Sequence, residues 1–431
     1  MEIRDPVHGS IHILDEEIPI IKHPFFQRLR SIKQLGFSEY VFPGATHTRF
    51  LHSIGVMHVG TRAFNALFPH YQSPELLKIK ETFKLACLLH DVGHAPLSHS
   101  TEIVMPMLSQ LKIPKDFLHD SAIDRQANHE DYTIKSIADS SFSRSFKLVE
   151  EKFGVKRNRI ADLVIGSCQD KSYFTVDGIC YFPILHQLVS SEMDCDRMDY
   201  LLRDSYFCGV SYGQFDLDWL LDNLQACFVQ DQAFLGISER SVVTFDDFLL
   251  SRYHMFIMVY FHYRSVCLEQ LLYKFFKTAP LEYTIPANIE EYLDHDDHFL
   301  MKVLKKSKNE YAQNLIQNKI PQKIFESFNP SQLVILEKIE SYLKKNNIDF
   351  IKCSSPSRLS KYYPLDGSEN YYSLKVVRKV LNAKEAIYSD INKATDLFQK
   401  FSISHAVDRL HCNINDLEKS QQSDILKLIQ N

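Results

Sequence analysis

The decisive stretch is Leu88-Leu89-His90-Asp91-Val92-Gly93-His94. It closes a run, Lys78 to Leu89, whose apolar residues recur at spacings of three and four, the period of an amphipathic helix. Neighbouring helix positions point about 100° apart, so His90 and Asp91 can grip one ion only from different sides. His94, four residues after His90, shares its face for as long as the helix lasts. Gly93 is expected to end or bend it. An aspartate and histidines at the end of an apolar helix are costly to bury unless paired or bound to metal. The motif therefore predicts metal or proton chemistry.

Upstream, Thr46-His47-Thr48-Arg49-Phe50-Leu51-His52-Ser53 leads into a second apolar helix, His52 to Leu67. Downstream, Glu192 to Asp204 carries Asp196, Asp199, Tyr200, Arg203 and Asp204 at i, i+3, i+4, i+7 and i+8, one helical face. Such a stripe is commonly a solvated surface. Here it is short and follows the apolar run Ile184 to Val189, which favours a functional reading. Two histidines, an adjacent aspartate and a distant aspartate form a mixed nitrogen and oxygen set suited to Mn, Fe, Zn or Mg. Such an ion acidifies bound water and polarises a phosphoryl oxygen. His94, His99 and His129 then remain for proton transfer or phosphate contact.

The remaining chain reads as mainly α. Helices are predicted over 28–35, 192–205 and 245–278, the last opened by a capping box at Thr244 to Asp247. Tyr40 to Phe42 and Ser241 to Val243 read as short strands, and 229–243 as a small hairpin around Gly236. Beyond about residue 285 lysine and asparagine rise, and helices alternate with strand-like runs such as Tyr371 to Val377. We expect a helical domain over 1–285 and a smaller α+β region over 286–431, regulatory or oligomerising. No repeat with a period of 20–50 residues is visible.

Composition narrows the function. The chain of 431 residues holds more histidine (19) than glycine (13), which excludes collagen-like and glycine-rich chains. Twelve of those histidines precede residue 130. The net charge is −5, without the basic excess of nucleic-acid binders. Nine cysteines without a CxxC pair argue against a cysteine zinc site and for a reducing, cytoplasmic setting. The start, MEIRDPVHG, does not read as a signal peptide. The most apolar stretch, Phe245 to Phe276, is broken by Asp246, Asp247, Arg252, Arg264 and Glu269, so no membrane span is expected.

A set of motifs resembles the HD-domain phosphohydrolase superfamily, most closely its deoxynucleoside triphosphate triphosphohydrolase branch. These are Asp5 to Gly9, Phe26 to Arg30, Ile32 to Gly36, Tyr40 to Gly44, Arg49 with His52, Leu89 to His99, His129-Glu130 and Asp196 to Asp204. The likeness spans about residues 3–285. It implies an HD helical core and a divalent metal held by His52, His90, Asp91 and Asp196. It also implies triphosphate contacts by Arg49, His94, Arg197 and His129, and protonation of the leaving oxygen by His99. Gln34, Tyr200 and Asp204 match positions that hold the sugar 3′-hydroxyl, and Leu35 the position that crowds a 2′-hydroxyl. The implied reaction is dNTP plus water giving deoxynucleoside and inorganic triphosphate.

Three positions depart from the pattern. Glu102 stands where the family has aspartate, one methylene longer toward His129. Lys22 replaces an aspartate that reads a guanine activator beside Gln27 and Arg30, and lysine cannot accept a hydrogen bond. The chain starts almost at the HD region, so no preceding SAM domain is expected. Asp294-His295-Asp296-Asp297-His298 imitates a metal cluster, but the family has a plain helix there. Asp5, His8 and Gly9 are expected to shape the first turn or a subunit contact. The resemblance further implies a homo-oligomer and an allosteric nucleotide. The competing readings are another HD phosphohydrolase (for a nucleoside monophosphate, cyclic dinucleotide, alarmone or single-stranded nucleic acid) and a catalytically silent nucleotide sensor.

Overall fold

The computed structural model describes residues 1–118, 124–357, 374–378, 386–395, 397 and 405–430. Three helices carry the site. Helix α1 (Arg49–Leu67) packs against α2 (Pro74–Leu89) on one side. A helix that falls later in the chain, Cys195–Cys208, packs against its other side. Their apolar stripes, including Ile54, Val59, Phe83, Leu88, Leu89, Met198 and Leu201, merge into the main core. Each helix has a defined start. Ser73 accepts the Leu76 amide 3.1 Å away, with Pro74 at the first helical position. Asn128 and Asp131 form a reciprocal capping box at α3 (His129–Ala138). Asp194 receives the Arg197 amide at 2.8 Å and opens the Cys195–Cys208 helix.

Helices α4 (Arg157–Ile165) and α5 (Phe182–Val189) close the core, and the Cys195–Cys208 helix is α6. A hairpin, β1 (Glu2–Asp5) and β2 (Gly9–His12), precedes them all. A second sheet runs β10-β9-β6-β4-β3, with β5 also paired to β6. Its strands are β3 (Thr175–Val176), β4 (Ile179–Cys180), β5 (Leu224–Val229), β6 (Gln232–Ser238), β9 (Lys375–Arg378) and β10 (Ile387–Asp390). Helices α7 (Val242–Met255) and α8 (Tyr263–Thr278) follow the β5–β6 hairpin.

The later chain contributes to two cores. Helices α9 (Asp297–Lys306) and α10 (Glu310–Ile316) bury Leu300, Leu304 and Leu315 in the main one. The antiparallel sheet β7 (Gln322–Ser327), β11 (His405–Cys412) and β8 (Phe350–Ser357) carries α11 (Leu333–Lys345) and α12 (Lys419–Gln430). Leu336, Ile339, Leu343, Leu410 and Ile425 make its own small core. A mainly helical core with a hairpin and a smaller α+β part is thus what forms.

Several local expectations fail for identifiable reasons. Only Arg28–Ser31 of the 28–35 segment is helical, as a short 3-10 turn. From Ile32 on, the backbone is committed to distant partners: Lys33 bridges Thr48, and the Gln34 amide bonds the His47 carbonyl at 3.0 Å. Tyr40 to Phe42 ends a 3-10 turn (Gly36–Tyr40) rather than forming a strand, and Ser241 to Val243 starts α7. The 245–278 helix is broken. Its middle, Phe256–Tyr260, is a wide i→i+5 turn, after which the helix is interrupted and His262 Nδ1 caps α8. Thr244 caps nothing, because α7 already runs from Val242. The hairpin is β5–β6, turning at Gln230-Asp231, with Gly236 inside a strand. Tyr371 to Ser373 lie outside the described residues, while Lys375–Arg378 is a strand.

Among the described residues no helix is long and apolar enough to cross a membrane. No disulfide links the nine cysteines.

Candidate active site

Helix α2 ends at Leu89, so His90 and Asp91 emerge from its C-terminal end, facing His52 of α1 and Asp196 in the first turn of α6. His52 Nε2 lies 2.9 Å from Asp196 Oδ1, and His90 Nε2 lies 3.6 Å from the same oxygen. One ligand atom from each of His52, His90 and Asp196 fits within 4.8 Å of the others. Asp91 closes the set from the edge, its Oδ1 3.3 Å from His90 Nε2 and its Oδ2 3.5 Å from His52 Nε2.

Both imidazoles are oriented from behind. His52 Nδ1 bonds Asp199 Oδ2 at 2.7 Å, and His90 Nδ1 bonds the Cys87 carbonyl at 2.8 Å. That arrangement directs each Nε2 into the site, the usual support for a metal-bound histidine. The Nε2 atoms are buried and lack a hydrogen-bond partner of ordinary geometry. Burial opposes the His52 imidazolium, yet Asp196 and Asp199 hold its pKa up to about 9. At His90 burial is again outweighed, here by Asp91 and Asp196, with the pKa up to about 9. A pocket this anionic, with two nitrogens and two carboxylates converging, fits a divalent cation.

Next to it lies a histidine cluster. His94 stacks on His129 with ring centroids 4.0 Å apart, and His99 stands edge-on to both. Glu102 Oε1 joins His129 Nδ1 (2.6 Å) and His99 Nδ1 (3.1 Å). Burial works against the Glu102 carboxylate, but hydrogen bonds from His129 and His99 hold it well below the usual carboxylate range. The extra methylene of Glu102 therefore serves both histidines. His94 Nε2 reaches Asp91 Oδ1 at 3.1 Å. Burial, then the neighbouring Arg49 charge, keeps His94 neutral, well below its ordinary pKa. Arg49 in turn pairs with Asp91 and bonds Ser98 Oγ at 2.9 Å.

This stacking needs Gly93. The HD turn runs so close to α3 that a Cβ at Gly93 would lie 2.1 Å from the His129 carbonyl oxygen and 2.3 Å from the Thr133 nitrogen. Gly93→Ala should lower stability by about 1–3 kcal/mol, read by urea unfolding, because backbone must yield.

A cavity of about 510 Å³ joins the two clusters to a third group. Gln34, Leu35, Arg197, Tyr200 and Asp204 all line it. Asp204 accepts from Tyr260 Oη at 2.8 Å and meets His47 Nε2 at 2.7 Å. Arg197 pairs with Asp194 and the Ser191 carbonyl. Burial pushes the Asp194 carboxyl up to about 6 despite that partner. The α6 stripe is thus no solvated face: Asp199, Arg203 and Asp204 are buried. Asp199 is its hub, bound by Arg203 through Nε and Nη2 (both 2.8 Å), by His52 and by His8 Nε2 at 2.6 Å. Asp5 shapes the first turn by accepting the Val7 and His8 amides, and its other oxygen holds Arg203.

Four contributors had no role assigned from the sequence, although Asp199 stood in the α6 stripe. His47 and Tyr260 fix Asp204, and Asp199 fixes His52. Glu269 of α8 also lines the cavity, and burial pushes its carboxyl up to about 7. The folded state then holds a proton that the unfolded chain releases near pH 4.3. Stability from this group is lost as pH rises from about 4 to about 7. Glu269→Gln should therefore raise Tm above pH 7 and leave it nearly unchanged at pH 4, by calorimetry.

The fold and this site together define an HD-like helical core in which His52, His90 and Asp196 could hold a metal ion beside a cavity of about 510 Å³. Comparison with known proteins agrees. No family model matches the chain. Yet over 281 residues it is 34% identical to the uncharacterized protein YwfO of Bacillus subtilis, covering 64% of this chain and 55% of that protein. It is 28% identical over 351 residues to the deoxynucleoside triphosphate triphosphohydrolase SAMHD1 of Danio rerio, covering 74% and 54%. A hypothetical protein of Aquifex aeolicus superposes with a TM-score of 0.75 at 26% identity, covering 99% of both chains. The alignments span 55–61% of the length of the first three curated relatives. The chain is a relative of the HD phosphohydrolases, a family with deoxynucleoside triphosphate triphosphohydrolase members.

Proposed function

We propose that the protein hydrolyses deoxynucleoside triphosphates to deoxynucleoside and inorganic triphosphate. The observation that carries this reading is that one cavity joins three groups: the metal set, the histidine cluster and the Gln34, Leu35, Tyr200, Asp204 wall. A phosphohydrolase needs the first two, and a deoxyribose fits the third.

A divalent ion (Mn, Fe, Mg or Zn) held by His52, His90, Asp91 and Asp196 would supply Lewis-acid charge and acidify a water. Arg49 and Arg197 balance the triphosphate charge, Arg49 being anchored by Ser98, while His94 and His129 offer ring nitrogens to the phosphate oxygens. Water attacks the α-phosphorus and gives up a proton to solvent, the bond from phosphorus to O5′ breaks, and protonated His99 delivers a proton to O5′. His99 lines the cavity and is exposed, while Glu102 orients it and His129. Gln34, Tyr200 and Asp204 hold the 3′-hydroxyl. Leu35 crowds a 2′-hydroxyl.

Purified protein loaded with Mn or Mg and offered each dNTP should release inorganic triphosphate from at least one. Release of monophosphate alone, or of nothing, would reject the reading. We further propose a cytoplasmic homo-oligomer whose 286–431 region is regulatory or oligomerising, and an allosteric nucleotide other than one read by Lys22. Adding GTP or a second dNTP to the same assay, and sizing the protein by light scattering, tests both.

A further inference from the structure

The Asp294 to His298 motif lies outside the cavity, yet Asp297 bonds the backbone of two segments that lead into it. Asp297, the first residue of α9, is only 6% exposed. Its Oδ1 accepts the Leu97 amide at 2.7 Å and its Oδ2 accepts the Lys33 amide at 2.9 Å. These two amides belong to two separate chain segments, each of which contributes a wall of residues to the cavity lining. Lys33 immediately precedes Gln34 and Leu35. Leu97 immediately precedes Ser98 and His99.

The Leu97 wall is strained. Leu97 and Ser98 occupy the left-handed region in succession, with φ of 54° and 60°. Side chains other than glycine adopt that conformation reluctantly, and such strain persists only where the surroundings impose it. The surroundings here are specific. Ser98 Oγ donates to the Lys33 carbonyl at 3.2 Å and receives Arg49 Nε at 2.9 Å. Arg28 Nη1 holds the His94 carbonyl at 2.8 Å and its Nε the His295 carbonyl at 3.0 Å. Tyr292 Oη holds the Gly93 carbonyl at 2.8 Å. Of these tethers, the Asp297 carboxylate alone bonds backbone of both walls at once. A buried carboxylate is costly unless its oxygens are matched, and here each oxygen has one amide.

We infer that Asp297 is a positioning residue: it sets the spacing between the Gln34-Leu35 wall and the Ser98-His99 turn. Through those walls it governs both the rate and the choice of deoxyribose over ribose. It touches no substrate itself. The inference rests on the proposed dNTP hydrolysis for its catalytic consequence, but not for the clamp.

The test uses the full chain, metal-loaded, with Asp297→Asn and Asp297→Ala. Asparagine keeps one acceptor and alanine none. Hydrogen exchange read by mass spectrometry should quicken in the peptides containing Lys33 and Leu97, alanine more than asparagine, with exchange in α1 and α6 unchanged. Bound metal should equal that of the parent. Turnover of the preferred dNTP should fall about 10- to 100-fold, and the ratio of dNTP to NTP turnover at least about 10-fold, with asparagine intermediate. Unchanged exchange in either peptide overturns the clamp. Quickened exchange with an unchanged dNTP to NTP ratio overturns the positioning role. Loss of metal in step with rate makes Asp297 a general fold staple and also overturns it. If the parent releases no triphosphate from any dNTP, the functional reading fails, while the exchange result still decides the clamp.

Discussion

Replacing His90 and Asp91 together by alanine should abolish metal binding and hydrolysis in the same step. The two side chains face His52 and Asp196 from the end of α2, and a site left with one histidine and one aspartate cannot keep a divalent ion at useful affinity. Turnover should fall by more than about a thousand-fold, since both the acidified water and the charge opposite the phosphate are lost. Metal analysis and triphosphate release measure the two effects. The change also removes the partner of buried Arg49. His90→Gln with Asp91→Asn is therefore the milder companion, retaining volume and hydrogen-bonding capacity. Turnover above a tenth of the parental rate in either variant would sink the ligand assignment. A silent sensor would instead bind nucleotide in both forms and hydrolyse in neither.

Asp199→Ala should be nearly as severe without removing a single ligand. Asp199 is wholly buried among His52, His8 and Arg203. Its loss leaves the Arg203 charge with Asp5 as remaining counter-ion and costs about 3–5 kcal/mol. It also frees the His52 ring, which should weaken metal binding about 10- to 100-fold. Urea unfolding of the metal-free protein isolates the first effect, and metal titration at low temperature the second. Asp199→Asn should recover much of the stability but less of the metal affinity, because an amide oxygen supports an imidazole N–H more weakly than a carboxylate does. Equal metal affinity in all three proteins would remove Asp199 from any supporting role.

Long helical periods and the HD spacing were legible in the sequence. Lys78 to Leu89 and His52 to Leu67 lie within α2 and α1, and the face running from Asp196 to Asp204 is a real helical face. His52, His90 and Asp196 bring one ligand atom each within 4.8 Å of the others, with Asp91 at their edge. What escaped reading lies in long-range pairings without a local signature. His47 meets Asp204 across 157 positions, and Asp297 meets Leu97 across 200. Residues 32–35 carry helical spacing, yet tertiary amide bonds from Lys33 to Asp297 and from Gln34 to His47 draw them out of a helix. The break at Phe256–Tyr260 is equally silent, since no glycine or proline marks it.

Under the proposed function, helix α6 would carry Asp196 for the ion and Tyr200 with Asp204 for the sugar, with Asp199 behind His52, all within nine residues on one helix. Ion and nucleotide would then act on the same body. Whatever factor the ion adds to nucleotide affinity, the nucleotide must return to ion affinity, because binding linkage is reciprocal. A cell short of the metal would then see the protein's hold on nucleotide loosen, and a cell rich in nucleotide would see the protein retain its metal.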